Sequence, residues 1–138
     1  MAQNTSPIFS LTGNIGFGAS ALTAANTAKD GTGTTLSVIT ADATNGSFVQ
    51  RIRFRAAGTN VATVARVFIN NGASSATASN NILWDEITLS ATTISEVSAL
   101  VTYELPLNFV LPAGYTLRVA IGTAVAAGYY ISVIGGNY

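Results

Sequence analysis

Valine, isoleucine and threonine supply 40 residues of this chain, whereas lysine and glutamate together supply four. Branching at Cβ restricts the χ1 rotamers a helix allows, while a pleated strand accommodates it. Solvent-facing helices also need the long charged side chains that are scarce here. The chain is therefore expected to be all-β. Eight runs that are apolar or alternate with period two, each bounded by Gly, Asn, Asp or Pro, stand out as strands. They are Ile15–Thr23, Thr34–Ala41, Ser47–Ala56, Val61–Asn70, Ile82–Ser90, Ala99–Leu105, Tyr115–Gly122 and Gly128–Gly135. Asn45-Gly46, Asn71-Gly72, Asp30-Gly-Thr-Gly33 and Pro112-Ala-Gly114 supply the turns between them. The Ala-rich stretch Ala19–Lys29 lacks an apolar stripe at helical spacing, which argues against a helix there.

Eight strands in 138 residues are expected to form one two-sheet β-sandwich, and the jelly roll is its eight-stranded form, with an immunoglobulin-like sandwich as the runner-up. Residues 12–138 make up this domain, preceded by an arm of residues 1–11. The arm's apolar anchors are Ile8, Phe9 and Leu11 around Pro7, and they are expected to order on a partner. The 45 large apolar residues are enough for a core without a metal or disulfide staple.

Composition narrows the chemistry. With no histidine and no cysteine, the Ser-His-Asp and Cys-His triads, zinc sites, haem ligation and thiol redox chemistry are all excluded. Six basic residues balance six acidic ones, so no bulk field draws nucleic acid or anionic lipid. No apolar stretch approaches the ~20 residues of a membrane helix, and Met1 to Pro7 lacks the basic and apolar regions of a signal peptide. The carboxylates Asp30, Asp42, Asp85, Glu86, Glu96 and Glu104 offer no convincing acid/base pair, and the neighbours Asp85 and Glu86 should point to opposite faces of a strand. Asp30 and Asp42 do not have the spacing of a calcium loop, and Gly13-Asn-Ile-Gly-Phe-Gly18 lacks the Lys-Ser/Thr of a phosphate loop. No cofactor and no enzymatic activity are expected.

Strand periodicity marks surfaces instead. Tyr115–Ile121 places Leu117, Val119 and Ile121 on one face and Thr116, Arg118 and Ala120 on a wet one. Val64 and Phe68 lie opposite Val61, Val67 and Ile69, and Tyr130 and Ile134 lie opposite Tyr129, Ile131 and Val133. In a two-layer sandwich these second apolar faces need a partner subunit or a covering segment. Val64, Phe68, Tyr130 and Ile134 are therefore expected at an oligomer interface. Arg51, Arg53 and Arg55 alternate along one strand and should share a face opposite Phe48, Ile52, Phe54 and Ala56. Half of the basic residues in one row is the pattern of a partner contact. Arg66 joins this row if the next strand closes a hairpin, and lies elsewhere if the chain crosses to the other sheet. Trp84, the five tyrosines and the loop Gly72–Asn80 are the features a glycan- or receptor-binding module would use.

Two segments carry a resemblance: Leu105–Tyr138, reading LPLNFVLPAGYTLRVAIGTAVAAGYYISVIGGNY, and Asn81–Leu89, reading NILWDEITL. Together with the Ala/Thr/Asn/Gly texture, they resemble small virion proteins of tailed bacteriophages, particularly jelly-roll capsid decoration (cement) proteins. That resemblance implies a structural protein on the capsid surface, a homotrimer that bridges major capsid protein subunits and stiffens the shell. The rival expectation is a receptor- or glycan-binding sandwich of a fibre or tail. Removing residues 1–11 is expected to leave the far-ultraviolet circular dichroism spectrum unchanged while lowering occupancy on particles; unchanged occupancy would deny the arm a binding role.

Overall fold

The computed structural model describes residues 9–138. Among them lie eight strands: β1 (Thr12–Phe17), β2 (Leu36–Thr40), β3 (Ser47–Ala56), β4 (Thr63–Asn70), β5 (Asn81–Leu89), β6 (Thr102–Leu111), β7 (Thr116–Ile121) and β8 (Tyr129–Asn137). A single 3-10 turn, Ala78–Asn80, interrupts the loop before β5. Each strand expected from the sequence overlaps one of these. The largest shifts are at β1, which ends at Phe17 instead of Thr23, and at β6, which runs through Pro106 to Leu111. It can do so because β6 is the edge of its sheet, where proline's missing N–H need not serve a ladder. Ala19–Lys29 is extended and makes isolated bridges, Leu22 to Tyr129 and Ala25 to Ile121.

The front sheet has the order β1-β8-β3-β6 and the back sheet β2-β7-β4-β5, with every pair antiparallel. Within this order β1 pairs with β8, β2 with β7, β3 with β6 and β4 with β5. The chain is thus one long antiparallel hairpin, nested strand within strand and wound so that successive pairs fall in alternate sheets. That winding is the jelly roll. Its cause is visible in the periodicity, since each strand has one face apolar enough to meet the opposite sheet. Val49, Ile52, Phe54, Ile131 and Val133 of the front sheet meet Ala65, Val67, Leu117, Val119 and Ile121 of the back sheet, all essentially without solvent contact.

One side of the sandwich is closed by β1 and β2, where Gly16 faces inward. A Cβ there would fall 2.1 Å from the Val38 carbonyl oxygen, so only glycine permits the approach. A bulge between Ser37 and Ile39 lets the consecutive residues Val38 and Ile39 both turn into the core. The other side is closed by Trp84 of β5 against Phe109 of β6, ring centroids 4.9 Å apart.

At one end of the roll three connections converge on Asn60, which is 3% exposed. Its side-chain oxygen accepts the N–H groups of Ala127 (2.9 Å) and Gly128 (2.8 Å), and its amide donates to the carbonyls of Gly128 (2.9 Å) and Gly58 (3.3 Å). Its backbone exchanges two hydrogen bonds with Thr92. At the opposite end the Asn137 side-chain oxygen accepts from Ser47 Oγ at 2.6 Å and Asn14 Nδ2 at 2.9 Å.

The outer face of the back sheet is roofed by the β1–β2 connection. Asn26 gathers this strap by donating to the carbonyls of Thr32 and Thr34, both at 2.8 Å, while accepting from the Ala28 N–H. Two arginines on the sheet hold it down. Arg66 donates to the Asn26 carbonyl, and Arg118 donates to the hydroxyl and carbonyl of Thr35. Phe68 and Ala120, on the same outer face, are fully buried. The face of β7 expected to be wet is therefore largely covered, with Ala120 buried and Thr116 and Arg118 partly so, because the chain lays its own backbone over it.

Replacing Asn60 with alanine leaves the N–H groups of Ala127 and Gly128 without partners, while the carbonyls of Gly58 and Gly128 keep the Thr92 hydroxyl and the Ala57 N–H. The expected cost is about 3 kcal/mol, seen as a Tm lowered by about 10 °C in calorimetry.

Candidate partner-binding face

The outer face of the front sheet contrasts with that roof, since no described segment crosses it. Its side chains follow from the register. Ile15, Ile134, Arg51 and Pro106 stand side by side across β1, β8, β3 and β6. The next row is Phe17, Ser132, Arg53 and Glu104, and beyond it come Tyr130, Arg55 and Thr102. Ile15, Phe17 and Tyr130 are 67%, 73% and 59% exposed. Leu11, whose N–H extends the ladder to the Asn137 carbonyl, and Phe9 are exposed as well. The face is thus divided lengthwise, with an apolar half on β1 and β8 and an arginine row on β3.

Electrostatically the row is under-compensated. Across the four front-sheet strands the ionisable cations are Arg51, Arg53 and Arg55, and the one carboxylate is Glu104. Glu104 sits between two of them. Its Oε2 is 3.3 Å from Arg51 Nη1, and its Oε1 is 2.9 Å from Arg53 Nε without that N–H being aligned on it. Both pairs are solvated, and each contributes at most about 1 kcal/mol. Arg55 instead donates to the Thr102 hydroxyl at 3.0 Å. Burying this row against a surface that supplies no acid would strand charge, so the face favours a partner that brings carboxylates.

The residues expected to form binding surfaces divide between the two sheets. Tyr130, Ile134, Arg51, Arg53 and Arg55 share the front face, joined by Phe9 and Leu11 at its corner; Ile8 lies outside the described residues. Val64 and Phe68 belong to the back sheet. Phe68 is 0% exposed, so the reason for assigning it to an oligomer interface is lost, and the strap supplies the cover. Val64 is partly buried beside Gly122. Phe48 also needs correction. A bulge at Gln50 shifts the strand's alternation, so Ser47 and Val49 point inward and Phe48 falls on the arginine side instead of opposite it. The chain crosses between sheets after β3, and Arg66 lies apart from the row, paired with Glu86 at 2.7 Å.

Ile15 and Phe17 were not singled out in the sequence as surface residues, and their signal is inverted. In Gly13-Asn-Ile-Gly-Phe-Gly18 the apolar side chains would ordinarily be assigned to the core. Here the glycine side turns inward because Gly16 must meet the Val38 carbonyl, and the isoleucine and phenylalanine face out.

The remaining candidate chemistry has structural partners. Asp30 is held below the usual carboxylate range by the Thr32 hydroxyl and then the Thr32 N–H. Asp42 is lowered by the N–H groups of Asn45 and Thr44. Each carboxylate caps its own turn, so these turns are at full strength above pH about 4 and loosen as pH falls through the lowered values. Burial and the neighbouring Tyr103 push the Tyr129 phenol up, outweighing a hydrogen bond with Thr92. Its neutral form is favoured in the fold, and that contribution fades as pH rises beyond about 10. Asp85 accepts the Glu86 N–H. Among the described residues no group of three His, Cys, Asp or Glu gathers to hold a metal. A groove of about 330 Å³ between β1 and β2 is lined by Asn14–Phe17 and Ser37–Thr40, with no ionisable side chain.

No protein-family model, curated protein or solved structure matches the chain. The two outer faces make a direct comparison possible. Phe68→Asp buries a charge and is expected to cost at least about 4 kcal/mol in urea unfolding, whereas Phe17→Asp should change stability by no more than about 0.5 kcal/mol.

Proposed function

We propose that the protein is a non-enzymatic structural component of a phage virion, a capsid decoration protein that binds the shell through the outer face of β1-β8-β3-β6. The observation that carries this reading is the asymmetry of the two sheets. The β1–β2 connection first follows β8 through Leu22 and then, from Asn26 to Thr35, roofs the back sheet. The front sheet retains Ile15, Phe17, Tyr130 and Ile134 in contact with water, beside an arginine row short of carboxylates. Monomeric proteins seldom leave a contiguous apolar face uncovered without a use for it. The jelly-roll order and the resemblance of Leu105–Tyr138 to decoration proteins add to the reading. Three copies, the number implied by that resemblance, would sit on the major capsid protein, with Phe9 and Leu11 extending the contact at the corner where β1 begins.

A glycan-binding module would use Trp84, which is 49% exposed, but one of its neighbours is already Phe109 in a tilted pair at the sandwich edge. The front face instead combines exposed Ile15, Phe17 and Tyr130 with three arginines that share one carboxylate.

The test is addition of purified protein to shells lacking it, read by co-sedimentation and by cryo-electron microscopy. Wild type is expected to bind front face down. Phe17→Asp and Arg53→Glu should each lower occupancy at least about tenfold, the equivalent of roughly 1.4 kcal/mol, and wild-type binding should weaken as salt rises. Full occupancy by both variants across the salt range, or glycan-array binding with no affinity for shells, would overturn the assignment.

A further inference from the structure

Two backbone irregularities meet at one level of the front sheet. Against β8, Gln50 has no partner, since Val49 faces Gly135 and Arg51 faces Ile134. Against β6, the same single residue spans two, because Val49 faces Phe109 and Arg51 faces Pro106. One of those two is Asn108, at φ 52°, the only non-glycine residue with a left-handed φ among those described. Asparagine's tolerance of this region does not remove the cost. What the distortion produces is a concavity of about 220 Å³ opening on the arginine face, lined by Gln50, Arg51, Glu104, Pro106 and Asn108.

The donors around it are poorly committed. Arg51 Nε is shielded from solvent and has no hydrogen-bond partner, and its Nη1 reaches Glu104 only at 3.3 Å. Gln50 and Asn108, both exposed, bring a carboxamide each to the rim. The half-exposed Arg51 side chain, held only to Glu104 at 3.3 Å, and two amide groups form a donor set for a small planar anion that competes with Glu104. Because the front-sheet strands carry three arginines and one carboxylate, the occupant that lowers the energy is anionic.

We infer that this concavity is the specificity-determining socket of the docking face, receiving an aspartate or glutamate side chain from the protein partner. This rests on the reading of the front face as a docking surface. A second copy applied face to face would set arginine row against arginine row. Residues 1–8, Met-Ala-Gln-Asn-Thr-Ser-Pro-Ile, contain no acid to fill the socket. On the docking reading the occupant is an acidic side chain of a different protein, placed about a strand's spacing from an apolar group that covers Ile15, Ile134 and Phe17.

The socket is tested on the isolated protein, without the shell, by nitrogen-15 NMR titration with N-acetyl-glutamate N-methylamide. Millimolar, saturable shifts are expected at the Arg51 Nε–H and the Gln50 and Asn108 side-chain amides. The uncharged glutamine analogue should cause none. Arg51→Gln should raise the half-saturating concentration at least about tenfold, and Arg51→Lys, which keeps the charge but loses the planar fork, should recover only part of the loss. Ile82→Thr, at an exposed position on β5 of the back sheet, should leave the titration unchanged; because the titration uses no shell, failure of the docking face and failure of the socket give different results. Shifts spread equally over Arg55 and Lys29, equal shifts with the glutamine analogue, no effect of Arg51→Gln, or tighter binding of glucuronate would each overturn the inference.

Discussion

The side chain of Asn60 is the interaction on which the closed form of this roll most depends. A jelly roll must turn the chain from one sheet to the other repeatedly, and each turn exposes backbone groups that no ladder satisfies. At one end of this molecule the β3–β4, β5–β6 and β7–β8 connections bring those groups to one place, and a single carboxamide with its own backbone accepts or donates to all three. Asparagine suits the position because it offers two donors and an acceptor oxygen with two lone pairs on a short stem. Aspartate would lose the donors, and glutamine would need another methylene of space in a site that is 3% exposed.

The two arginine pairs of the fold show how one residue type serves opposite ends. Arg66 and Arg118 spend their donors inward, on Asn26 and Thr35, and so attach a strap of low intrinsic structure to a sheet that would otherwise show Phe68 to water. Arg51 and Arg53 share one glutamate and remain half-solvated. In a chain with so few charges, where each guanidinium is directed largely decides which surface is internal and which remains available for contact.

The eight strands were legible because β-branched runs fall between turn residues whose backbone preferences are local, such as Gly46, Gly72 and Gly114, all at positive φ. The two core faces of β7 and β8 were legible for the same reason. Legibility stopped where a tertiary contact overrides alternation. Gln50 adds one residue to β3 and carries Phe48 to the other side; nothing in Ser47–Ala56 announces it, and it coincides with the left-handed Asn108 on a neighbouring strand. The inversion of β1 depends on a carbonyl of β2. Burial of Phe68 depends on a strap of small polar residues with no apolar stripe, held by hydrogen bonds between atoms that are about 40 and 80 residues apart in sequence. The arginine row is legible as a row, since its residues lie beyond the bulge, where period two holds.

The register of the outermost pair has a mechanical consequence. Thr12 faces Asn137, so the beginning of β1 and the end of β8 emerge at the same corner. Tension applied between them runs across the strands rather than along them and loads the β1–β8 hydrogen bonds one at a time, as in opening a zipper. The corner is therefore the compliant point of the molecule, while force pressing on the two sheets meets a close-packed interior. A body with this anisotropy yields to peeling at a single corner and resists compression everywhere else.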